Sequence, residues 1–228
     1  MKKLLFVSSV LIMFMIAPMA MADTLTVNRA VGYFSGVGGE FTLTGNDLVG
    51  FQAFYAVDTK DQAWPTSIQS FCIERNEYIS MGSTYAFQLN TAAVAGGIAG
   101  GSPDPISVGT AYLYYEFSQG TLAGYDFTAG AGREASALAL QMAFWMLEDE
   151  LAIDNANPFI MTVVGLFGDP WADNSGQYPV YALNLKNMAG GNAQDMLVVN
   201  PIPEPATMLL LGSGLLGLAG FARRRFKK

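Results

Sequence analysis

Residues 206–222 read ATMLLLGSGLLGLAGFA, an uncharged run at the short edge of what crosses a bilayer as a helix, roughly 17 residues. Arg223, Arg224, Arg225, Lys227 and Lys228 follow at once. Clustered positive charge beside a span favours the cytoplasmic side, so everything before residue 206 is expected outside. The other end agrees. Lys2 and Lys3 precede an apolar stretch over residues 4–18, and Ala20-Met21-Ala22 is a small-x-small cleavage pattern just before Asp23. That is the order of parts in a secretory signal peptide, residues 1–22. Residues 23–200 remain as one extracytoplasmic domain of ordinary size.

Charge and residue usage narrow what this domain can do. Its basic residues are Arg29, Lys60, Arg75, Arg133 and Lys186, against 18 acidic ones, a net charge near −13. Nucleic-acid binding needs a basic patch and is not expected. Acidity suits solubility outside the cell and contact with divalent cations. The chain has no histidine, which removes the commonest general base and metal ligand and excludes serine-histidine and cysteine-histidine hydrolases. Cys72 is the single cysteine, so no intramolecular disulfide can form. No enzymatic turnover, cofactor or resident metal is expected. The segment 169–176 gathers oxygen ligands, but without the regular spacing of a calcium loop.

The local patterns predict an α+β class, a β-rich sandwich- or barrel-like scaffold with a helical insertion, besides the signal helix and one C-terminal transmembrane helix. Strands are expected over 25–31, 40–44, 49–57, 70–75, 84–89, 178–185 and 196–199, separated by turn residues. Residues 92–105 read as a loop. Helices are expected over 107–118, 133–151 and 157–167; the second has no Gly or Pro and many strong helix formers. Glu148-Asp149-Glu150 would close it, acidic residues opposing the helix dipole.

Between the domain and the apolar run stands Pro201-Ile202-Pro203-Glu204-Pro205. Three prolines in five residues form neither helix nor central strand, so this is an extended, exposed linker. Pro203-Glu204-Pro205, the Gly/Leu-rich span and the Arg223-Arg224-Arg225 cluster, in that order, closely resemble the PEP-CTERM sorting tail of Gram-negative bacteria, here residues 201–228. The resemblance implies recognition by an exosortase-type membrane protease that cuts near Pro203-Glu204-Pro205. It implies an exported protein, held transiently at the inner membrane by its tail and then placed at the cell surface or outside, in company with exopolysaccharide and biofilm matrix.

Within the domain, Gln141 asks for an explanation. It lies on the 133–151 helix with Leu138, Met142 and Trp145, while Leu140, Phe144 and Leu147 line the other side. A helix apolar nearly all round is buried, and an unpaired buried amide costs roughly 1–3 kcal/mol. Cys72 lies between Phe71 and Ile73, and strand alternation points it to the opposite face from both. The sequence Phe71-Cys72-Ile73-Glu74, then Gly82-Ser83-Thr84-Tyr85, then Leu140-Gln141-Met142-Ala143-Phe144-Trp145 resembles the thioester domains of bacterial surface adhesins. That resemblance implies an internal thioester between the Cys72 sulfur and the Gln141 side-chain carbonyl, shielded by Phe71, Phe144 and Trp145, and covalent attachment to an amine-bearing surface or matrix ligand. The bland alternative is a buried Cys72 and a satisfied core amide, in a non-reactive structural protein of the exopolysaccharide matrix.

Overall fold

The computed structural model describes residues 23–36, 38–52, 67–96 and 101–200. The signal segment 1–22, the linker, span and basic tail over 201–228, and most of the expected strand 49–57 lie outside the described residues. Eight strands and four helices follow in chain order: β1 (Thr24–Asn28), β2 (Phe41–Thr44), α1 (Val49–Gln52), β3 (Ile68–Ser70), β4 (Thr84–Asn90), β5 (Ala92–Ala93), β6 (Asp104–Pro105), α2 (Val108–Gln119), α3 (Ala131–Leu147), α4 (Pro158–Leu166), β7 (Val180–Lys186) and β8 (Met196–Val199). Six strands form one antiparallel sheet in the order β3-β2-β1-β4-β7-β8; β5 and β6 pair separately.

The sheet almost closes on itself. Beyond β3 the chain runs along β8: Leu197 N donates to Phe71 O at 3.0 Å, Ile73 N donates to Asp195 O at 3.0 Å, and Cys72 bridges Met196. The Ser70 hydroxyl adds a bond to Leu197 O at 2.6 Å. Pairing the two edges removes the exposed donors and acceptors that edge strands present and gives a barrel-like body.

Each face of the sheet buries its own apolar cluster. Phe71 and Ile73 join Leu197, Val199, Val180 and Ala182 against the helices, together with Leu140, Phe144 and Leu147 of α3. Cys72 joins the other cluster, with Leu25, Val27, Leu43, Met196, Val198 and Trp145. Period-two alternation therefore sends Cys72 away from its two neighbours, as expected. With both faces buried, β8 is apolar throughout rather than alternating.

The helices begin where capping residues stand. The Ser107 hydroxyl accepts from Thr110 N at 3.1 Å, and Gly120 ends α2 in the left-handed region at φ 69°. Asn157 caps α4, with Pro158 in its first turn.

Four expectations need correction. The strand expected over 70–75 lies at Ile68–Ser70, because past Ser70 the β2 ladder opens and Cys72 only bridges Met196. Residues 49–52 are helical rather than extended, continuing a 3-10 turn over Asn46–Leu48. Residues 92–105 contain the β5–β6 pair, because Ala92 and Ala93 find Pro105 and Asp104. The long helix stops at Leu147, four residues early, because Asp149 takes φ 57°, a region costly for a non-glycine residue.

That turn frees Glu148 to accept from Ser107 N (3.1 Å) and Ser107 Oγ (2.8 Å), at the N-terminus of α2. Burial pushes the Glu148 carboxyl up to about 7, while bonds from Thr110 and Ser107 pull it down and Asp104 adds to the rise. A carboxyl whose folded pKa is raised contributes stability that is complete below the unfolded value and lost as pH rises through the folded one. Glu148→Gln keeps an oxygen for Ser107 and cannot ionise. In urea unfolding from pH 4.5 to 8, this variant should gain on the parent chain by on the order of 3 kcal/mol as pH rises through about 7.

Candidate functional site

Three pairs set the register of β2 on β3: Phe41 with Ser70, Thr42 with Gln69 and Leu43 with Ile68. Continued by two residues, the same register places Gly39 opposite Cys72. There the ladder opens, and the side-chain amide of Gln141 enters it. Gln141 Oε1 accepts from Cys72 N at 3.0 Å and from Gly39 N at 3.0 Å; Gln141 Nε2 donates to Cys72 O at 2.9 Å. One primary amide thus serves the backbone of Cys72 as a neighbouring strand would. The question posed by a buried glutamine on an apolar helix is answered: its oxygen carries two bonds and its nitrogen one.

Gly38 and Gly39 make the close approach possible. A Cβ on Gly38 would stand 2.3 Å from Gln141 Cγ, and one on Gly39 would stand 2.3 Å from Phe71 Cδ1. The next residue, Glu40, is fully buried and anchors this stretch to α3. Arg133 donates to it from Nε (2.8 Å) and Nη2 (2.5 Å), and the Tyr125 hydroxyl donates at 2.6 Å. The Arg133 guanidinium also lies 3.7 Å from the centroid of the Tyr33 ring. Burial raises the Glu40 carboxyl pKa, and the bonds from Arg133 and Tyr125 oppose that rise. Arg133 and Gln141 lie eight residues apart, close to two helical turns, so both face the 38–40 segment.

The surroundings are apolar on one side and open on the other. Phe71 packs edge-on against Phe144 with ring centroids 5.2 Å apart, and against Phe117 at 5.1 Å. Cys72 and Trp145 line a cavity of about 420 Å³, together with Arg29, Phe41, Tyr78 and Met81. Tyr78 is 82% exposed and Met81 41% at this cavity, while Cys72 at its base is 2% exposed. Burial holds the Cys72 thiol well above its ordinary pKa; Glu74 adds to the rise and Arg29 opposes it. The thiol is therefore protonated and a poor free nucleophile at neutral pH.

Phe71 and Phe144 lie in the helix-facing cluster, and Trp145 lines the cavity with Cys72. Gly38, Gly39, Glu40 and Arg133 were not anticipated as parts of the site. The double glycine before a strand was the available signal, since it marks a close backbone approach. Tyr114 is engaged by Gln69 O at 2.8 Å, and Tyr112 packs against Phe167 and Tyr178. Glu150 accepts from Arg75 N at 3.0 Å, so the acidic run after α3 makes internal contacts. In the 169–176 turn, Asp169 accepts from Trp171 N and Asn174 bonds Tyr178. The carboxylates that the described residues do bring together are elsewhere, at Glu74, Glu77 and Asp195.

Residues 201–225 match the family model of the PEP-CTERM protein-sorting motif. The chain carries the tail of an exosortase substrate, which makes it an exported protein anchored at the membrane before processing, with exosortase as the processing partner. Among the described residues no helix is long and apolar enough to cross a membrane; the anchoring run 206–222 lies outside them. No curated protein and no solved structure matches the chain.

The glycine contacts give a direct test of the site. Gly38→Ala should force Gln141 out of the ladder and cost about 1–3 kcal/mol in urea unfolding. Gly50→Ala, where a Cβ would meet nothing within 4 Å, should change stability little or raise it.

Proposed function

We propose that this exported chain is a surface or matrix protein that attaches covalently through an internal thioester between Cys72 and Gln141. The observation that carries the reading is the seating of the Gln141 amide against Cys72, its carbonyl oxygen held by the Cys72 and Gly39 N–H groups. In the formation step the Cys72 sulfur bonds to Gln141 Cδ and the Cδ–Nε2 bond breaks. The thiol proton leaves on nitrogen, as ammonia. Two backbone donors already lie on the oxygen where negative charge develops in the tetrahedral intermediate. Preorganised donors of this kind are typically worth several kcal/mol each to acyl transfer.

The attachment step mirrors the first. An amine entering from the cavity beside Trp145 attacks Gln141 Cδ, the C–S bond breaks, and an amide joins the ligand to the chain. One amine proton returns to the Cys72 sulfur, which burial favours as a thiol. Phe71 and Phe144 exclude water from the helix side. The reaction runs once per chain, so it is nucleophilic acyl chemistry without turnover. The sorting tail supports the setting, since a single-use bond is useful on a protein that reaches the cell surface. Phe41, Tyr78 and Trp145 give the cavity aromatic walls against which the carbon chain of an amine ligand can pack.

A second reading draws on the same three hydrogen bonds. They satisfy the Gln141 amide without any reaction, as in a non-reactive structural protein of the exopolysaccharide matrix. Intact mass separates the two. The freshly purified exported protein is expected to be lighter by one ammonia than its sequence. Cys72→Ala should show the full mass, and methylamine should add its own mass to the parent chain alone. A full mass, with Cys72 alkylated in the unfolded protein, would reject the thioester and leave the structural reading.

A further inference from the structure

Two residues beyond Cys72, the chain buries a carboxylate with nothing to neutralise it. Glu74 is 1% exposed. Its Oε2 accepts from Asp195 N at 3.3 Å, but its Oε1 is buried and without a hydrogen-bond partner among the described residues. Glu77 Oε2 is in the same condition. One oxygen each from Glu74, Glu77 and Asp195 lie within 4.8 Å of one another. Asp195 is held firmly: Val94 N and Asn184 Nδ2 donate to Oδ2 at 2.7 and 2.8 Å, and Leu185 N donates to Oδ1 at 3.2 Å.

Among the described residues no cation pairs with this charge. Among the described residues the one ion pair joins Arg133 to Glu40. Arg29 and Arg75 line the cavity beside Glu77 without pairing to the cluster. Leaving buried carboxylates uncompensated is costly, and burial together with Asp195 pushes Glu74 up to about 10. Either a proton or a metal ion must neutralise the group.

We propose that Glu74, Glu77 and Asp195 form a calcium site that clamps the Cys72 segment to β8. All three ligands are hard oxygens, which suit calcium or magnesium rather than softer metals. Calcium accepts carboxylate oxygens in flexible geometry, whereas magnesium demands near-ideal octahedral geometry and dehydrates reluctantly. Glu77 is half-buried and borders the cavity, so the ion has an entry path and room for water ligands. Glu74 and Asp195 belong to the two chains that close the sheet, where Ile73 N meets Asp195 O and Gln194 Nε2 meets Glu74 O. An ion shared between them ties that seam with charge as well as hydrogen bonds. The proposal stands whether or not the thioester forms.

The test uses the full chain in detergent, stripped with EDTA and titrated with calcium chloride while heat and melting are followed. One calcium per chain is expected, with a Kd in the range of about 10⁻⁵ to 10⁻³ M. The Tm should rise by roughly 5 °C or more at a hundredfold excess over Kd. Glu77→Gln should weaken binding by about tenfold or more, since calcium affinity follows the count of ligand charges. Glu74→Gln mimics the protonated carboxyl, so it should fold without metal and lose the calcium-dependent rise. A Tm unmoved up to roughly 10 mM calcium, beyond the usual extracellular range, overturns the proposal and leaves a proton-sharing carboxyl pair. An equal rise in Glu74→Gln, or with magnesium, also overturns it and assigns the effect to general screening of an acidic chain.

Discussion

A single side-chain amide joins the largest helix to the sheet. Where β2 and β3 part, the backbone of Cys72 and the N–H of Gly39 lose their natural partners, and all of them are buried. Gln141 supplies what they lack, with one oxygen for two N–H groups and one N–H for a carbonyl. Without it, three backbone groups would be orphaned away from water, at about 1–3 kcal/mol each. On the opposite edge of the same segment, Phe71 and Ile73 pair with β8. The Cys72 segment is therefore bonded on both sides, by a strand on one and by a helix side chain on the other. This fixes the cysteine more rigidly than a loop would.

A wedge of this kind works only if helix and loop are held at constant distance. The buried Arg133–Glu40 pair provides that second point of attachment. Breaking such a pair by removing one partner is strongly destabilising, because the remaining charge is left uncompensated in a low dielectric. Arg133 grips Glu40 through two nitrogens, and the residue just before it, Gly39, presents its N–H to Gln141. Register of the 38–40 segment on α3 is thus set twice within two helical turns. The glycines remove the side chains that would keep the two apart.

Much of this was legible in the sequence, for identifiable reasons. The alternation around Cys72 and the apolar surround of Gln141 follow from period and composition, and both hold: Cys72 falls in one core and Phe71 and Ile73 in the other. The helices expected over 107–118 and 157–167 do form, and their caps at Ser107 and Asn157 are a local matter. What stayed hidden depends on contacts distant in the chain. Residues 49–52 look like a strand until Leu48 is buried by a 3-10 turn. The end of α3 is set by Glu148 reaching Ser107, 41 residues earlier. Glu40 and Arg133 are 93 residues apart, and neither has a local pattern that names the other. The carboxylate cluster is of the same sort, since Asp195 meets Glu74 only through closure of the sheet.

The chemical poverty of the chain then becomes informative. With no histidine and one cysteine, a reactive site cannot rely on a conventional base–nucleophile pair. What the fold offers instead is position: the Gln141 carboxamide seated on the backbone of Cys72, with two backbone donors on its oxygen. Proximity can supply a large part of an acyl-transfer barrier when the groups are already aligned. In the proposed thioester, the same burial that keeps the Cys72 thiol protonated would slow hydrolysis, since Phe71 and Phe144 close the helix side. A bond used once outside the cell, as proposed, would need persistence before contact more than rate. A rigid, partly closed site without histidine would meet that requirement, and the proposed calcium clamp would tie the closure seam beside it.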